Sequence, residues 1–377
     1  MWLISYSVRQ FFELQLFAKV LQRGLVRLVC LGTLRYMHRE RLTCILVTSL
    51  LGISANILAQ TNSAQARTQG ASNHAVISQD GYLNQSEVFT HGDNNIDDIT
   101  QSGTSNQALT THGDAATASS SNRALVVQRS ALNNTLANTV ELTTAGTQHL
   151  TDVAQTGNAH AVTTAQRGLA NRAYTRQETS GNTASINQIG IRNTDIIVQI
   201  DLTNTGSTST AGIDNANYIV QQGGPTNTAR TEIHGDRNSA TLLQVGSQNF
   251  AYSNMRNTNP GVPAGQQGGG HSDNNFLSLT QRGYGNSASS FVGGDHNNVM
   301  LRQSGSSNLA GISYQANGIQ VLGHRNVVTG EQSGSHNQLD IDVIQHDNSV
   351  KVFQDANHQR SRVMLDGSAN VARVSQH

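Results

Sequence analysis

The sequence predicts an all-β protein: a β-solenoid of 22-residue strand-turn-strand rungs, each built of two 11-residue arms, with amyloid-like cross-β stacking. Three observations predict it: a tandem repeat with a step of 11 residues, a longer period of 22 superposed on it, and period-two alternation inside each arm. Composition removes the competitors. The chain has 377 residues, with 24 Lys+Arg against 24 Asp+Glu, 36% hydrophobic, 5% aromatic and 3 Pro. Two or three ordinary globular domains would need more large apolar side chains, and disordered chains are richer in charge and Pro. Long apolar runs occur only near the N-terminus, which excludes a polytopic membrane protein. Such a polar chain has to be held by ladders of hydrogen bonds.

The N-terminus reads as an export signal. Residues 37–59 comprise a basic start (Met37, Arg39, Arg41), a mostly apolar stretch from Leu42 to Ile53, and Ala59 before Gln60. That is the layout of a signal peptide, and its apolar part is short for a membrane span. Residues 1–36 are also apolar and basic, odd in front of a signal, so Met37 is the expected start and 1–36 an upstream extension. Both cysteines, Cys30 and Cys44, precede Ala59. An exported chain without disulfides finds its stability elsewhere. Residues 60–377 carry 17 basic and 22 acidic side chains, a net −5, which argues against nucleic acid or anionic lipid as partners.

The repeat is Gln-x-Gly-x-x-Asn, as in Gln79/Gly81/Asn84, Gln101/Gly103/Asn106, Gln281/Gly283/Asn286, Gln303/Gly305/Asn308 and Gln332/Gly334/Asn337. Aligned on Asn, the arms fall at 73, 84, 95, 106, 122 and 133, then 149 to 215 in steps of 11. They continue at 227, 238, 249, 275, 286, 297, 308, 326, 337, 348, 359 and 370. Of these 25 arms 22 carry Asn; His149, His160 and Gln359 are the exceptions, and Asn62 opens one more arm ahead of them. Five residues before each Asn, even arms have Gln, while odd arms have Thr or an aliphatic residue, as at Thr68, Thr90, Thr117 and Val292; Gln166, Gln188 and Gly270 break the odd-arm rule. About thirteen 22-residue rungs therefore fill residues 60–377, a rod of roughly 60 Å at about 4.8 Å per rung.

Inside an arm, Asp195, Ile197 and Gln199 after Asn193 share one side, as do Ala240 and Leu242 after Asn238. Alternation of this kind places one face inward. The inward amides expected to stack in ladders are Gln79, Asn84, Gln101, Asn106, Gln155, Gln177, Asn182, Gln199, Gln244, Asn249, Gln281, Asn286, Gln303, Asn308, Gln332, Asn337, Gln354 and Gln376. Buried without partners they would be costly; stacked on identical neighbours they bond up and down, as in steric zippers. Turns fall to Gly81, Gly103, Gly157, Gly190, Gly246, Gly283, Gly305 and Gly334, because Gly takes positive φ without steric cost. Larger insertions precede Asn122, His149, Asn275 and Asn326, always in odd arms, and are expected on one edge. The longest, 254–273, holds Pro260, Pro263 and a Gly run and reads as a flexible loop.

In 22-residue tandem after a secretory signal, Gln-x-Gly-x-x-Asn-x-Ala-x-x-x-Gln resembles the curlin repeat of curli fimbrial subunits, over essentially all of residues 60–377. The resemblance implies export by a Gram-negative bacterium through a curli-type secretion channel, related subunits as partners, and assembly into extracellular amyloid fibres of the biofilm matrix that act in adhesion. Family arms usually open with Ser where this chain has Asn73 and Asn95, and family subunits have far fewer rungs. A surface-tethered nucleator and a monomeric solenoid binding ice or polysaccharide are the alternatives. Against the last, Thr is commoner at inward than at outward positions.

Polymerisation also follows from the pattern, since open solenoid ends are rows of unpaired donors and acceptors and neither end of the repeat shows a charged or Pro-rich cap. Outward Asp98, Arg172, Arg230, Asp342 and Arg373 read as gatekeepers; Asp97 and Asp195 are in phase with inward positions. The His-Gly-Asp triplets at His91, His112 and His234 read as solvated turn residues, with no zinc-type ligand spacing. Ser residues lack a nucleophile elbow. No catalytic residue, cofactor, metal, small-molecule substrate or nucleic-acid partner is expected.

Overall fold

A computed structural model describes residues 62–113, 119–131, 136–256, 272–311 and 318–377. The expected export signal and upstream extension lie outside these residues. Every strand pairing is parallel, and the chain alternates between two sheets. One sheet has thirteen strands, from His74–Tyr82 through Thr194–Gln199 to Val371–Gln376. Its partner starts at Ser63–Gln69 and ends at Arg360–Asp366, and two of its rungs are split by insertions. The first is called the glutamine sheet below and the second the variable sheet.

Register follows the 22-residue period. Ser63 pairs with Gln85, His74 with Ile96 and Thr183 with Thr205, each offset by one full rung. Within strands, burial alternates residue by residue, as in Thr194–Gln199. The buried side chains of both sheets form one continuous core, with Ile77, Ile99, Ile186, Ile197, Leu242 and Leu279 among the largest fully buried. Each such side chain contributes about 1.5–3 kcal/mol on burial, which is why a thin core of small and medium residues suffices when it repeats thirteen times.

The turns explain the Gly and Asn positions. All eight Gly singled out above have φ between +95° and +122°. A Cβ on Gly81 would sit 2.0 Å from the carbonyl oxygen of Gly103 in the next rung, so close stacking of turns also demands Gly. The residue just before the turn Asn takes the left-handed region too in nearly every rung, as at Asn94 with φ 57°, Ala137 being an exception. The Asn94 N–H donates to the carbonyl of Ala71, one rung back, at 2.9 Å. Vertical bonding offsets the strain of a non-Gly residue there.

The structure corrects the placement of the insertions. Asn138, not Asn133, continues the turn column, donating to Asn106 Oδ1 at 3.0 Å and accepting from the His160 N–H at 3.1 Å; Asn133 lies outside the described residues. That insertion thus follows the glutamine-sheet strand Arg123–Arg129 and precedes Asn138 rather than His149. It leaves the edge opposite to the insertions after His112 and Met255, so the single-edge expectation fails. The insertion before Asn326 splits a variable-sheet strand between Ala310 and Ile319. The long loop is also shorter than 254–273, because Asn254 and Met255 complete the strand Phe250–Met255.

Candidate functional site

The feature with chemical content is a set of vertical side-chain ladders. Thirteen Gln stack in the glutamine sheet, from Gln79 through Gln199 to Gln376. Each Nε2 donates to the Oε1 of the next in twelve successive bonds of 2.7–3.0 Å. The second amide proton goes across the core to a variable-sheet carbonyl, as from Gln199 to Thr183 at 2.9 Å. Apart from the terminal Gln376, these amides are buried. Of the expected residues, Gln79, Gln101, Gln155, Gln177, Gln199, Gln244, Gln281, Gln303, Gln332, Gln354 and Gln376 all stand in this one column. Gln128 and Gln221 complete it.

Two further columns line the turns, and their polarity is opposite. Asn95 donates its backbone N–H to Asn73 Oδ1 at 3.0 Å, and Asn106 donates to Asn84 at 3.1 Å. Many of the side-chain amides also donate forward to a turn carbonyl of the next rung, as from Asn84 to Gly103 at 3.1 Å, while others such as Asn182 donate to their own turn. The expected Asn84, Asn106, Asn182, Asn249, Asn286, Asn308 and Asn337 share one of these columns.

His149 and His160 occupy the Asn positions of one rung and act as amide substitutes. Asn171 N–H donates to His149 Nδ1, and Asn182 N–H to His160 Nδ1, both at 3.3 Å. Each Nε2 lies within 3.3 Å of its own turn carbonyl, Ala145 or Thr156. An imidazole with Nδ1 as acceptor and Nε2–H as donor reproduces both functions of an amide. Burial holds both rings below the usual histidine pKa, since charging them would remove the acceptor.

Buried ionisable groups meet across the core, with Asp97 and Asp195 on the glutamine sheet facing partners on the variable sheet. His112 is fully buried, not a solvated turn residue as its Gly-Asp context implied. Its Nε2 meets Asp97 Oδ1 at 2.9 Å and its Nδ1 meets Thr144 Oγ1 at 2.6 Å. In the aligned column His112 replaces Thr117, and Met255 replaces Gly270, because both insertions begin after the strand rather than before it. Asp195 is buried among Thr208, Thr210 and Asn217, which donate at 2.8–3.1 Å. Burial pushes its carboxyl up to about 7, against the pull of those bonds. The period placed both carboxylates inward; only the cross-core contacts reveal their partners.

At each end of the described solenoid, two strands are bonded on one side only. Ser63–Gln69 and His74–Tyr82 pair only with the following rung, and Arg360–Asp366 and Val371–Gln376 only with the preceding one. Val371 is 80% exposed and Met364 60%. Among the described residues no group of three or more His, Cys, Asp or Glu is placed to hold a metal. Residues 273–305 match the family model of the curlin associated repeat. No curated protein matches the chain. The match falls on three consecutive turn asparagines, Asn275, Asn286 and Asn297, and two ladder glutamines, Gln281 and Gln303, and over these residues the chain is similar to the curlin repeat.

Proposed function

We propose that the chain is the secreted structural subunit of curli-like functional amyloid fibres, growing by end-to-end stacking of solenoids in an extracellular matrix that serves adhesion. The observation that carries this reading is the polarity of the ladders at the two ends. Every Gln points its Nε2 toward the C-terminal end, and the column begins and ends with Gln. A second copy placed beyond Val371–Gln376 would accept from Gln376 with its own Gln79, while its Asn73 N–H would donate to Asn370. The backbone edges would join in the same parallel register. Addition at one rung costs no new geometry, which is the logic of solenoid stacking. In this reading residues 37–59 are removed on export, and a curli-type channel and related subunits handle the unfolded chain.

Purified residues 60–377 test it. Conversion to thioflavin-positive fibres with a reflection at about 4.8 Å is expected. A chain that folds yet stays monomeric at high concentration would overturn the reading.

A further inference from the structure

The outer surfaces of the two sheets differ in the middle of the rod. On the glutamine-sheet strands Thr194–Gln199, Ala216–Gln222 and Ser239–Ser247, the outward side chains include Ile196, Val198, Tyr218, Val220, Leu243 and Val245, and none is charged. Tyr218 is 37% exposed and the others are part-exposed. On the matching variable-sheet strands, the outward positions include Ser185, Asn187, Ser207, Ser209, Arg230 and Glu232. Among the described residues nothing packs on the apolar band. In-register parallel stacking makes it flat and columnar, the kind of surface that interdigitates with a copy of itself.

We infer that this band is a lateral docking face for a second copy of the chain, by which rods pair side by side. The charges that border it support an identical partner. With a two-fold axis along the rod, facing strands run antiparallel and the first outward position of a rung opposes the last. In the strand Arg172–Ser180, Arg172 then faces Glu178 of the second copy, which also pairs with Arg176 of its own strand, and Tyr174 faces the second copy's Arg176. In Phe276–Tyr284, Phe276 faces Arg282. The match stops at Arg123–Arg129, where Arg123 would meet Arg129. At the other end the strand Val327–Ser335 presents Glu331.

Between these limits lie seven rungs, from Leu150–Asn158 to Asn298–Ser306, and in the two outermost Asp152 faces Ala154 and Arg302 faces Met300 with no counter-charge directly opposite. With four outward positions each, they span about 29 Å by about 20 Å. That is about 600 Å² per copy, roughly 1,200 Å² in total, at the low end for a specific interface. One such patch pairs weakly. A fibre repeats it once per copy along the rod, so multivalency turns weak pairing into stable bundling. Only this multivalency rests on the fibre reading; the face itself does not.

The test compares residues 60–377 with the triple variant Val198→Lys, Val220→Lys, Leu243→Lys by electron microscopy and thioflavin kinetics. Expected are fibres that elongate at the normal rate but show about tenfold fewer paired or bundled rods. Bundling equal to the parent would overturn the inference. Two exposed-charge variants address the two-fold geometry at little cost to folding. Arg172→Glu should reduce bundling, and Arg172→Glu with Glu178→Arg should restore it; failure of the double variant to restore would overturn the arrangement. If the protein forms no fibres, sedimentation of the soluble rod decides. A concentration-dependent dimer abolished by the triple variant supports the face even as the fibre reading fails, and a monomer throughout overturns the face.

Discussion

At one inward column of the glutamine sheet all thirteen rungs place Gln, while the equivalent column of the variable sheet drifts. It runs Thr68, Thr90, His112, Thr144, Gln166, Gln188 and Thr210, then becomes aliphatic from Ile233 and Met255 to Val343 and Leu365. Both columns are buried, and both hold the rungs in register. The difference is that a Gln column is a directional chain of bonds, in which each member satisfies its neighbours. Replacing one member strands a donor below and an acceptor above. The aliphatic part of the variable column makes no such chain, so it tolerates Ile, Met and Val in succession, while its polar members bond locally, as Gln166 does to Gln188. The Gln column also presents the same group at both ends, whereas the variable column starts at Thr68 and finishes at Leu365. Only the glutamine sheet can therefore continue its inner ladder unchanged into another copy.

The largest expected effect is Gln199→Leu, which leaves Gln177 without its acceptor, Gln221 without its donor and the Thr183 carbonyl without its side-chain donor. It should destabilise by about 3–5 kcal/mol in a denaturant titration, whereas Ile233→Val in the other column should cost about 1 kcal/mol. Equal losses would erase the distinction between the sheets.

Next comes Asp195. Its folded-state pKa of about 7 lies above the unfolded 3.8, so the stability it contributes is present below pH 4 and lost as pH rises toward 7. Asp195→Asn should flatten that decline and leave the protein more stable at pH 8, by a few kcal/mol. His149 has the opposite sign. Its lowered pKa means stability present above pH 6.5 and lost as pH falls below it. His149→Asn should restore the amide and remove that acid loss. Denaturant midpoints across pH separate the two, and a variant with the parent's pH profile would refute its assignment.

The smallest effect sharpens the picture of the variable sheet. Thr164 and Thr231 bury hydroxyls that find no partner among the described residues. Thr231→Val should stabilise by about 1 kcal/mol, and a loss of stability would mean that the hydroxyl is satisfied after all.

These elements were unequally legible in the sequence. Gln-x-Gly-x-x-Asn marks the glutamine sheet directly, because turn stereochemistry and amide stacking each demand one residue type. Even Asp97 and Asp195 were placed inward by phase alone. The variable sheet was harder to read where insertions intervene. A period of 11 says that extra residues exist between Asn106 and Asn122 but not on which side of the strand they enter. His112-Gly-Asp resembles the exposed turns at His91 and His234, and only the cross-core contact with Asp97, 15 residues earlier, shows that His112 belongs to the interior. Asn133 and Asn138 are chemically equivalent candidates five residues apart, and the choice between them rests on the bond to Asn106. The two His in Asn positions were visible as exceptions; that an imidazole can reproduce an amide's donor and acceptor became clear from their bonds.

The central claim is that each copy supplies thirteen successive layers, with Gln199 lying between Gln177 and Gln221 of its own chain. Residues 60–377 contain no cysteine, so a single spin label at Ser209→Cys, an outward position on the variable sheet, reads the layer spacing in assembled fibres. Stacked solenoids place successive labels about 60 Å apart along the rod, giving a spectrum without exchange narrowing. A single exchange-narrowed line would mean that identical residues of neighbouring copies sit about 4.8 Å apart, one layer per copy, and would contradict the account.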